Sequence, residues 1–415
     1  MKILAVANAH ALAHVSRLLE IAKILRRRGH EIVFAGCGKY LEVATWDRFT
    51  TRELPYTSVE QIVAAVRSQK LWQLYPERQL ETFIEAELAL YQQERPDLVL
   101  IDNRPTARTS AEKARLPIAA VLNVQMSNYR RIPFFSIGDH GVPGTQTLDY
   151  LENLSECLLY DRLVMGGLNH LRHRLRLPRL YAYEHEEGER SLLADIPEFN
   201  PVRALPAHAR YIGPLTWHND LPPPACLEQL DRDRPTVYLS LGSEGLDELV
   251  ERLDALTRWG IQVVVAAGAA ALNDNPRPLP GIFIERYVNT DALLPHCDLV
   301  CCHGGNGTLY QALAYGLPIV VVATHAEQHY GGKQVQRLGF GRALTLKKVR
   351  RRGLDIVVDA IRHVLVNDHY RQAAQAFRKR LKSWDGAAAM AAQHIEHHLI
   401  SRRRAASSLR IAPRV

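Results

Sequence analysis

The sequence has little of what marks a disulfide-stapled, metal-binding or membrane-spanning protein. Its 415 residues include only six cysteines, and none has the paired spacing of a zinc site. No apolar run approaches the roughly 18 residues that a membrane-spanning helix needs. The apolar N-terminal segment is short and interrupted by Asn8 and His10, which favours a first strand over a signal peptide. These absences predict free thiols, no bound metal and a cytoplasmic location.

Acidic residues are outnumbered, 44 against 52 lysines and arginines, which gives a formal net charge of +8. The excess is concentrated in short basic runs at 26–28, 347–348, 350–352 and 402–404. Such runs are usually solvated faces, and the alternative that remains open is a weak peripheral attraction to anionic lipid. No nucleic-acid-binding module accompanies them, so we expect no nucleic-acid partner.

Apolar segments of strand length alternate with helical periodicity in both halves of the chain, a pattern typical of βαβ units and parallel sheets. A chain of 415 residues is expected to form two domains. The segment 215–234 combines prolines with charge and predicts a linker between domains at 1–214 and 235–370. The predicted fold class is therefore α/β, with two doubly wound parallel sheets.

One turn in the second half has the composition of an anion cradle. Residues 303–308 read His-Gly-Gly-Asn-Gly-Thr and follow the apolar segment 298–302. Glycine permits close approach to the main chain, and a helix predicted to begin at about Thr308 would point its free N–H groups into the turn. These donors, the helix dipole and His303 together suit a diphosphate. A strand-to-helix turn without a ligand shares this pattern, so the turn alone does not decide the function.

A polar pair, Glu327-Gln328, follows the next apolar strand, 319–323, in what the pattern predicts to be a loop. Loops at the carboxyl ends of neighbouring parallel strands face the same crevice. We therefore expect the pair to reach whatever is attached to the diphosphate, and its acceptors and donors suit sugar hydroxyls.

With these motifs the chain resembles the family 1 glycosyltransferases, which include bacterial natural-product glycosyltransferases and UDP-glycosyltransferases. Further matching segments lie at 28–31, 211–215 and 237–243, in the expected order. The resemblance implies the GT-B fold, in which two Rossmann-like domains face each other across a cleft. It also implies that a C-terminal helix, here 371–400, crosses back to the N-terminal domain. The remaining basic tail, 401–415, is expected to be disordered.

The resemblance assigns catalytic roles to two residues of the first half. His14 matches the general base that takes the proton of an acceptor hydroxyl, and Asp102 matches the aspartate that orients this histidine. His14 follows the predicted strand 2–7, and Asp102 closes the predicted strand 97–102. The carboxyl ends of these two strands border one crevice.

The chain departs from the family pattern around this histidine. Ala13 replaces the usual glycine, Arg17 replaces the usual proline, and His10 precedes His14 by one helical turn. Which of the two histidines faces the cleft therefore stays open.

On the donor side, the resemblance implies that Tyr287 stacks on the nucleobase in place of the usual tryptophan. Gln311 stands where a glutamate commonly holds the ribose. Residues 46–90 and 125–190, whose pattern is irregular with helical stretches, are expected to shape the acceptor pocket. The implied donor-binding residues are Ser243, Tyr287, His303, Gly304, Gly305, Asn306, Gly307, Thr308, Gln311, Glu327 and Gln328.

The predicted function is transfer of a hexose from a UDP- or TDP-sugar to a hydroxyl of a small, apolar natural product or lipid-like acceptor. Inversion at the anomeric carbon is expected, without a metal or a cofactor beyond the nucleotide-sugar co-substrate, by a monomer or homodimer. Two alternatives share the fold: a non-catalytic sugar-nucleotide-binding homologue that assists a partner enzyme, and a sugar-nucleotide epimerase.

Overall fold

The computed structural model divides the chain into two compact units. Unit 1 comprises Met1–Leu215 with Gly386–Val415, and unit 2 comprises Thr216–Asp385. The structure describes residues 1–9, 11–36, 38–58, 61, 71–135, 146–240, 253–267 and 280–411.

The described strands of unit 1 form one parallel sheet in the order β3-β2-β1-β4-β5-β6-β7. These strands are Lys2–Ala7 (β1), Glu31–Gly36 (β2), Thr50–Glu53 (β3), Leu98–Asp102 (β4), Ile118–Leu122 (β5), Arg190–Leu193 (β6) and Ala209–Tyr211 (β7). The central strands are continuous apolar runs because a parallel sheet is covered on both faces. Val6, Ile101 and Leu122 are accordingly buried in a single core cluster.

Helices cover this sheet, and the C-terminal helix belongs to the same unit. They are Leu12–Arg27 (α1), Glu42–Trp46 (α2), Glu77–Glu94 (α3), Ala107–Ala114 (α4), Gln146–Leu163 (α5) and Met165–Arg174 (α6), with Ala387–Ile411 (α14). Glu396 of α14 accepts hydrogen bonds from Arg28 and contacts His30, at 2.7 and 3.0 Å, so α14 is fixed beside the end of α1.

Unit 2 repeats the architecture with the strand order β10-β9-β8-β11-β12-β13, again all parallel. The strands are Thr236–Ser240 (β8), Gln262–Ala266 (β9), Ile282–Glu285 (β10), Leu299–Cys302 (β11), Ile319–Ala323 (β12) and Gly341–Thr345 (β13). The helices are Leu253–Arg258 (α7), Thr290–Leu293 (α8), Asn306–Ala314 (α9), Ala326–Arg337 (α10), Leu346–Arg352 (α11), Asp355–Val366 (α12) and Asp368–Leu381 (α13).

Four sequence predictions need correction. The helix after the glycine turn begins at Asn306, not at about Thr308, and the predicted loop around Glu327-Gln328 is the first turn of α10. At the other end, α14 remains helical to Ile411 in place of a disordered tail, and the ion pair between Arg403 and Asp97 ties it to unit 1. The chain returns to unit 1 only at Gly386, because α13 packs within unit 2.

Register in each sheet brings strand ends together. In unit 1, Ala7 of β1 pairs with Asp102 of β4, so both strands finish at the same level. In unit 2, Cys302 of β11 lies beside Ser240 of β8 and Val321 of β12. The residues that follow these strands are where ligands bind in open α/β sheets.

Candidate active site

His14 and Asp102 are in direct contact at the carboxyl edge of the unit 1 sheet. His14 lies in the first turn of α1, and its Nδ1 is 2.7 Å from Oδ1 of Asp102. The Asp102 side chain is completely buried, whereas that of His14 keeps 15% of its surface exposed. If Nδ1 carries the ring proton and donates it to the carboxylate, Nε2 is left as the basic atom.

Arg17 completes this contact in a way that the sequence did not indicate. Its guanidinium grips Asp102 with two hydrogen bonds, Nε to Oδ2 at 2.8 Å and Nη2 to Oδ1 at 2.7 Å. Nη1 donates to Oδ1 of Asn123 at 2.5 Å, and Nη2 lies 3.2 Å from Nδ1 of His14. Arg17 is 7% exposed, so this forked ion pair is shielded from water.

We call His14, Arg17, Asp102 and Asn123 the His14 cluster. A helical spacing of three residues puts His14 and Arg17 on the same face of α1, which explains why both reach one carboxylate. The cluster therefore fixes a hydrogen-bond acceptor beside the imidazole.

The main chain next to Asp102 is held in an unusual conformation. Asn103 has φ of 53°, in the left-handed region, which asparagine tolerates better than most residues. Its side chain accepts from Asn8 at 3.3 Å and donates to Glu186 at 3.1 Å, while the Asn8 N–H donates to the Asp102 carbonyl at 3.1 Å. These bonds turn the chain sharply after β4 and aim Asp102 at α1.

Unit 1 also contains an open cavity of about 470 Å³ within the region predicted to shape an acceptor pocket. Its walls are mostly apolar, and a volume of this size suits a small organic ligand. The lining residues are Asn128, Tyr129, Tyr150, Leu154, Cys157, Arg203 and Ala204.

In unit 2 the residues 303–308 form the predicted glycine turn between β11 and α9. Gly304 has φ of 98°, and Gly305 is the N-cap of α9 without a side-chain cap. No acidic residue stands in the first turn of α9. The first N–H groups of a helix lack intrahelical partners, so this end offers main-chain donors and the positive end of the dipole.

Two glycines of this turn, Gly304 and Gly305, have close neighbours where a side chain would stand. A methyl group on Gly304 would lie 2.7 Å from the carbonyl oxygen of Gln328, and one on Gly305 would lie 2.6 Å from Nε2 of His303. From the other side, a methyl group on Gly331 of α10 would lie 2.5 Å from the carbonyl oxygen of Gly304. The imidazole of His303 thus folds over the turn, and α10 packs directly against it. Asn306 is buried, and both Gly307 and Thr308 are partly buried.

Glu327 and Gln328 occupy the first turn of α10. Gln328 is 3% exposed, and its Oε1 accepts from the main-chain N–H and the hydroxyl of Thr324, at 2.9 and 2.8 Å. This side chain therefore ties the first turn of α10 to Thr324, the residue that follows β12. Glu327 is partly buried beside it.

The positions predicted for the nucleoside are occupied by contacts with the linker. Gln311 of α9 donates from Nε2 to the carbonyl oxygen of Trp217 and to the hydroxyl of Thr290, both at 3.1 Å. Asn289 donates to the carbonyl oxygen of Leu221 at 2.7 Å. Gln311 thus has its amide donors committed, and its Oε1 is the atom suited to accept from a ribose hydroxyl.

Tyr287 follows β10 in a loop and is partly buried, with the guanidinium of Arg286 5.5 Å from its ring centre. Ser243 and His10 lie outside the described residues. Within the described part of the chain, no group of three histidine, cysteine, aspartate or glutamate side chains could hold a metal ion.

Comparisons with known proteins identify the family. The model of the erythromycin biosynthesis protein CIII-like C-terminal domain matches residues 250–396. A PGL/p-HBAD biosynthesis glycosyltransferase of Mycobacterium tuberculosis (strain ATCC 25177 / H37Ra) is 30% identical over 96% of this chain and 92% of its own. A PGL/p-HBAD biosynthesis rhamnosyltransferase of Mycobacterium bovis (strain BCG / Pasteur 1173P2) is 31% identical over 90% of this chain and 82% of its own. The chain belongs to this family of glycosyltransferases.

The glycosyltransferase also shares its fold with solved structures. Spinosyn rhamnosyltransferase SpnG complexed with thymidine diphosphate has a TM-score of 0.69 at 18% identity, covering 95% of this chain and 100% of that one. Family 1 membership and the GT-B fold, both expected from the motifs, are confirmed. One relative, from the same M. bovis strain, is named an inactive PGL/p-HBAD biosynthesis glycosyltransferase and is 31% identical over 62% of this chain and 71% of its own.

No helix in the described part of the glycosyltransferase is long and apolar enough to cross a membrane. Its described cysteines are all free thiols.

Proposed function

We propose that this glycosyltransferase moves a hexosyl group from a UDP- or TDP-sugar to a hydroxyl of an apolar acceptor, with inversion of the anomeric carbon. The observation that carries the proposal is the 2.7 Å contact between His14 and a fully buried Asp102. A structural histidine at a helix start has no need of a buried carboxylate, whereas a general base needs one to fix its tautomer.

In the proposed step, Nε2 of His14 takes the proton of the acceptor hydroxyl. The acceptor oxygen forms its bond to the anomeric carbon as the bond from that carbon to the diphosphate oxygen breaks. The electron pair leaves with the nucleoside diphosphate. Asp102 stabilises the imidazolium that forms.

Arg17 acts here as a positioning residue. It holds the Asp102 carboxylate in place with two hydrogen bonds, so that Oδ1 stays within hydrogen-bond distance of Nδ1 of His14.

The departing diphosphate is assigned to the 303–308 turn. Main-chain N–H groups at the start of α9, the helix dipole and His303 would stabilise the charge that develops on the leaving oxygen. With this many fixed donors the reaction needs no divalent ion. Glu327 and the amide nitrogen of Gln328 are assigned to the hydroxyls of the sugar.

The names of two similar proteins suggest which donors to try first: thymidine diphosphate sugars, and among them a deoxyhexose. The M. bovis relative is named a rhamnosyltransferase, and the spinosyn rhamnosyltransferase was solved with thymidine diphosphate. The apolar cavity beside Tyr129 and Leu154 supports an acceptor with an apolar body.

The proposal is tested by substituting His14→Ala and, separately, His303→Ala. A mixture of phenols and alcohols would be offered with UDP- and TDP-sugars, and products detected by mass spectrometry. We expect His14→Ala to lower kcat by about 10²–10⁴ with little change in donor affinity. The anomeric configuration of the product, read by NMR, checks inversion.

The matched control is His170→Ala, which removes a surface histidine whose side chain is 61% exposed. Turnover by His14→Ala at the wild-type rate would refute the base assignment. His303→Ala is expected to weaken donor use instead, because His303 is assigned to the leaving group.

One observation favours a second function, that of a non-catalytic sugar-nucleotide-binding homologue. A relative that covers most of the chain is named inactive, and here Gln311 is engaged with the linker. That function would be supported if calorimetry showed binding of TDP or UDP while no sugar was transferred to any acceptor, and if His14→Ala left the nucleotide affinity unchanged.

A further inference from the structure

Helix α5 of unit 1 presents polar side chains to the protein and apolar ones to solvent. Asn153 is fully buried and donates to the carbonyl oxygens of Arg131 and Asp149. Glu156 accepts from Arg130 at 2.8 Å and from two main-chain N–H groups. A surface helix of a globular protein normally has the opposite arrangement.

The outward side of α5 is apolar over nearly three turns. Residues at positions i, i+4 and i+8 share one face of a helix, and neighbours at i+1 and i+9 widen that face. We call this surface the α5 apolar face. Its members, with their exposed fractions, are Tyr150 47%, Leu151 52%, Leu154 41%, Leu158 62% and Leu159 53%.

Five large side chains in ten residues are too many for a scattered set of surface hydrophobics, which need no explanation singly. The other residues on this half of the helix are Thr147, Leu148, Ser155, Asp161 and Arg162. Asp161 is the one acidic residue among them; its side chain is 13% exposed and is paired with Arg179 at 2.6 Å.

Arginines stand at both ends of the α5 apolar face. Arg162 is exposed in the last turn of α5. Near the first turn, the guanidinium of Arg203 lies 4.9 Å from the ring centre of Tyr150, and the exposed Arg131 is joined through its carbonyl to Asn153. An apolar surface flanked by cations has the composition that binds an anionic lipid interface.

The same face leads into the cavity of unit 1. Tyr150 and Leu154, which are partly exposed members of the α5 apolar face, also line the 470 Å³ cavity. An apolar chain that leaves a bilayer along α5 would therefore reach the cavity without crossing a polar surface.

We propose that the α5 apolar face docks on an anionic lipid surface and admits the apolar chain of a lipid acceptor to the cavity. The entry of an acceptor rests on the proposed function, whereas the docking itself does not. A second copy of the chain fits the face less well. In a symmetric dimer the arginines at its ends would face other arginines, and like charges repel.

The test is co-sedimentation of the full chain with vesicles. One set contains equal parts of phosphatidylglycerol and phosphatidylcholine, and the other contains phosphatidylcholine alone. The double variant Leu151→Asn with Leu158→Asn should bind the phosphatidylglycerol vesicles roughly tenfold more weakly than wild type, because two apolar contacts are lost. Wild-type binding should be weaker on phosphatidylcholine alone and should fall as salt is added.

The matched control is the double variant Val366→Asn with Ile400→Asn, which changes two apolar residues that are 78% and 45% exposed elsewhere. It should bind vesicles like wild type. Because all four positions are exposed, each variant is expected to keep the wild-type circular dichroism spectrum and urea midpoint.

Three results would overturn the proposal. The wild-type protein could fail to bind either kind of vesicle, or the α5 double variant could bind the phosphatidylglycerol vesicles as well as wild type does. Light scattering could show a dimer that the α5 variant converts to a monomer, which would assign the face to a second copy. None of these readouts depends on turnover, so failure of the His14→Ala test and failure of the docking proposal are distinguishable.

Discussion

In unit 1 the candidate catalytic residues are charged side chains that hold one another, whereas in unit 2 the candidate diphosphate site is made of main chain and glycine. The His14 cluster depends on a forked ion pair between Arg17 and Asp102, which are 7% and 1% exposed, respectively. The 303–308 turn depends on the absence of side chains at Gly304, Gly305 and Gly331.

The difference matches the two tasks proposed. A general base has to be held in one tautomer and orientation, and a fixed hydrogen bond to a neighbouring acceptor does this. A diphosphate carries several oxygens and is recognised by several donors at once, which the main chain at a helix start supplies. Substitutions should therefore damage the two sites in different ways: through charge in unit 1 and through volume in unit 2.

The largest expected effect is that of Asp102→Asn. The change removes the charge opposite buried Arg17 and the acceptor that fixes His14. Breaking a buried ion pair typically costs about 3–5 kcal/mol of stability, and loss of an oriented base lowers kcat by about 10²–10⁴. Urea unfolding and donor-saturated turnover measure the two effects.

The control for this variant is Asp97→Asn, at the residue that immediately precedes β4. Asp97→Asn alters a carboxylate paired with the exposed Arg403, whose side chain is 61% exposed. Surface pairs contribute about 0–1 kcal/mol, so this variant should lose little stability and no turnover. Equal losses in both variants would mean that the His14 cluster has no special role.

Arg17→Met is expected to be nearly as damaging to stability, because it leaves the Asp102 carboxylate buried without its cation. Its effect on turnover should be smaller than that of Asp102→Asn, because Oδ1 of Asp102 remains beside Nδ1 of His14. Urea unfolding and donor-saturated kcat measure the two effects.

Arg17→Lys is the conservative comparison. A lysine restores the charge but not the fork, so it should recover stability and kcat only in part. If Arg17→Met lowers stability and leaves kcat at the wild-type value, the role of Arg17 is structural only.

For unit 2 the matching change is Gly304→Ala. At φ of 98° an alanine is strained, and its methyl group would lie 2.7 Å from the carbonyl oxygen of Gln328. The turn and the start of α10 have to separate, so we expect the Kd for UDP or TDP to rise roughly tenfold by calorimetry. The charges of unit 1 are untouched.

Gly307→Ala is the control within the same motif. Gly307 has an ordinary helical conformation, and a methyl group there would meet nothing within 4 Å. Alanine in a helix is favoured over glycine, so stability should be unchanged or slightly higher. A loss of nucleotide binding in Gly307→Ala as large as in Gly304→Ala would argue against the packing explanation.

The sequence predicted much of the framework because it is local and periodic. The strands 2–7 and 319–323 are apolar runs, and the structure has them with the predicted bounds. The contact of His14 with Asp102 follows from two adjacent strand ends, a topological rule that needs no atomic detail.

What the sequence did not predict are the partners of polar side chains across the fold. Arg17 was noted only as a replacement for proline, because its partner lies 85 residues away on β4. The reversed polarity of α5 was also missed, since periodicity shows which side of a helix is apolar but not which side faces inward. Gln328 was placed in a loop because α10 begins only three residues after β12, and the bond of Gln328 to Thr324 is not visible in the sequence pattern.

The smallest expected effect is that of Gln311→Glu, and it tests whether side chains matter in unit 2 at all. The change restores the residue type common in the family, yet it replaces the amide that donates to the carbonyl oxygen of Trp217 and to Thr290. A carboxylate facing a carbonyl oxygen leaves one acceptor unpaired, which costs about 1–3 kcal/mol. The loss should appear in urea unfolding and should shrink at low pH, where a protonated glutamate can donate again. Gln311→Met, which cannot bond in either form, should show no such recovery. If Gln311→Glu instead binds UDP or TDP more tightly at unchanged stability, the contact with the linker does not contribute to stability. Nucleotide binding by unit 2 would then depend on side-chain charge, as the His14 cluster of unit 1 does.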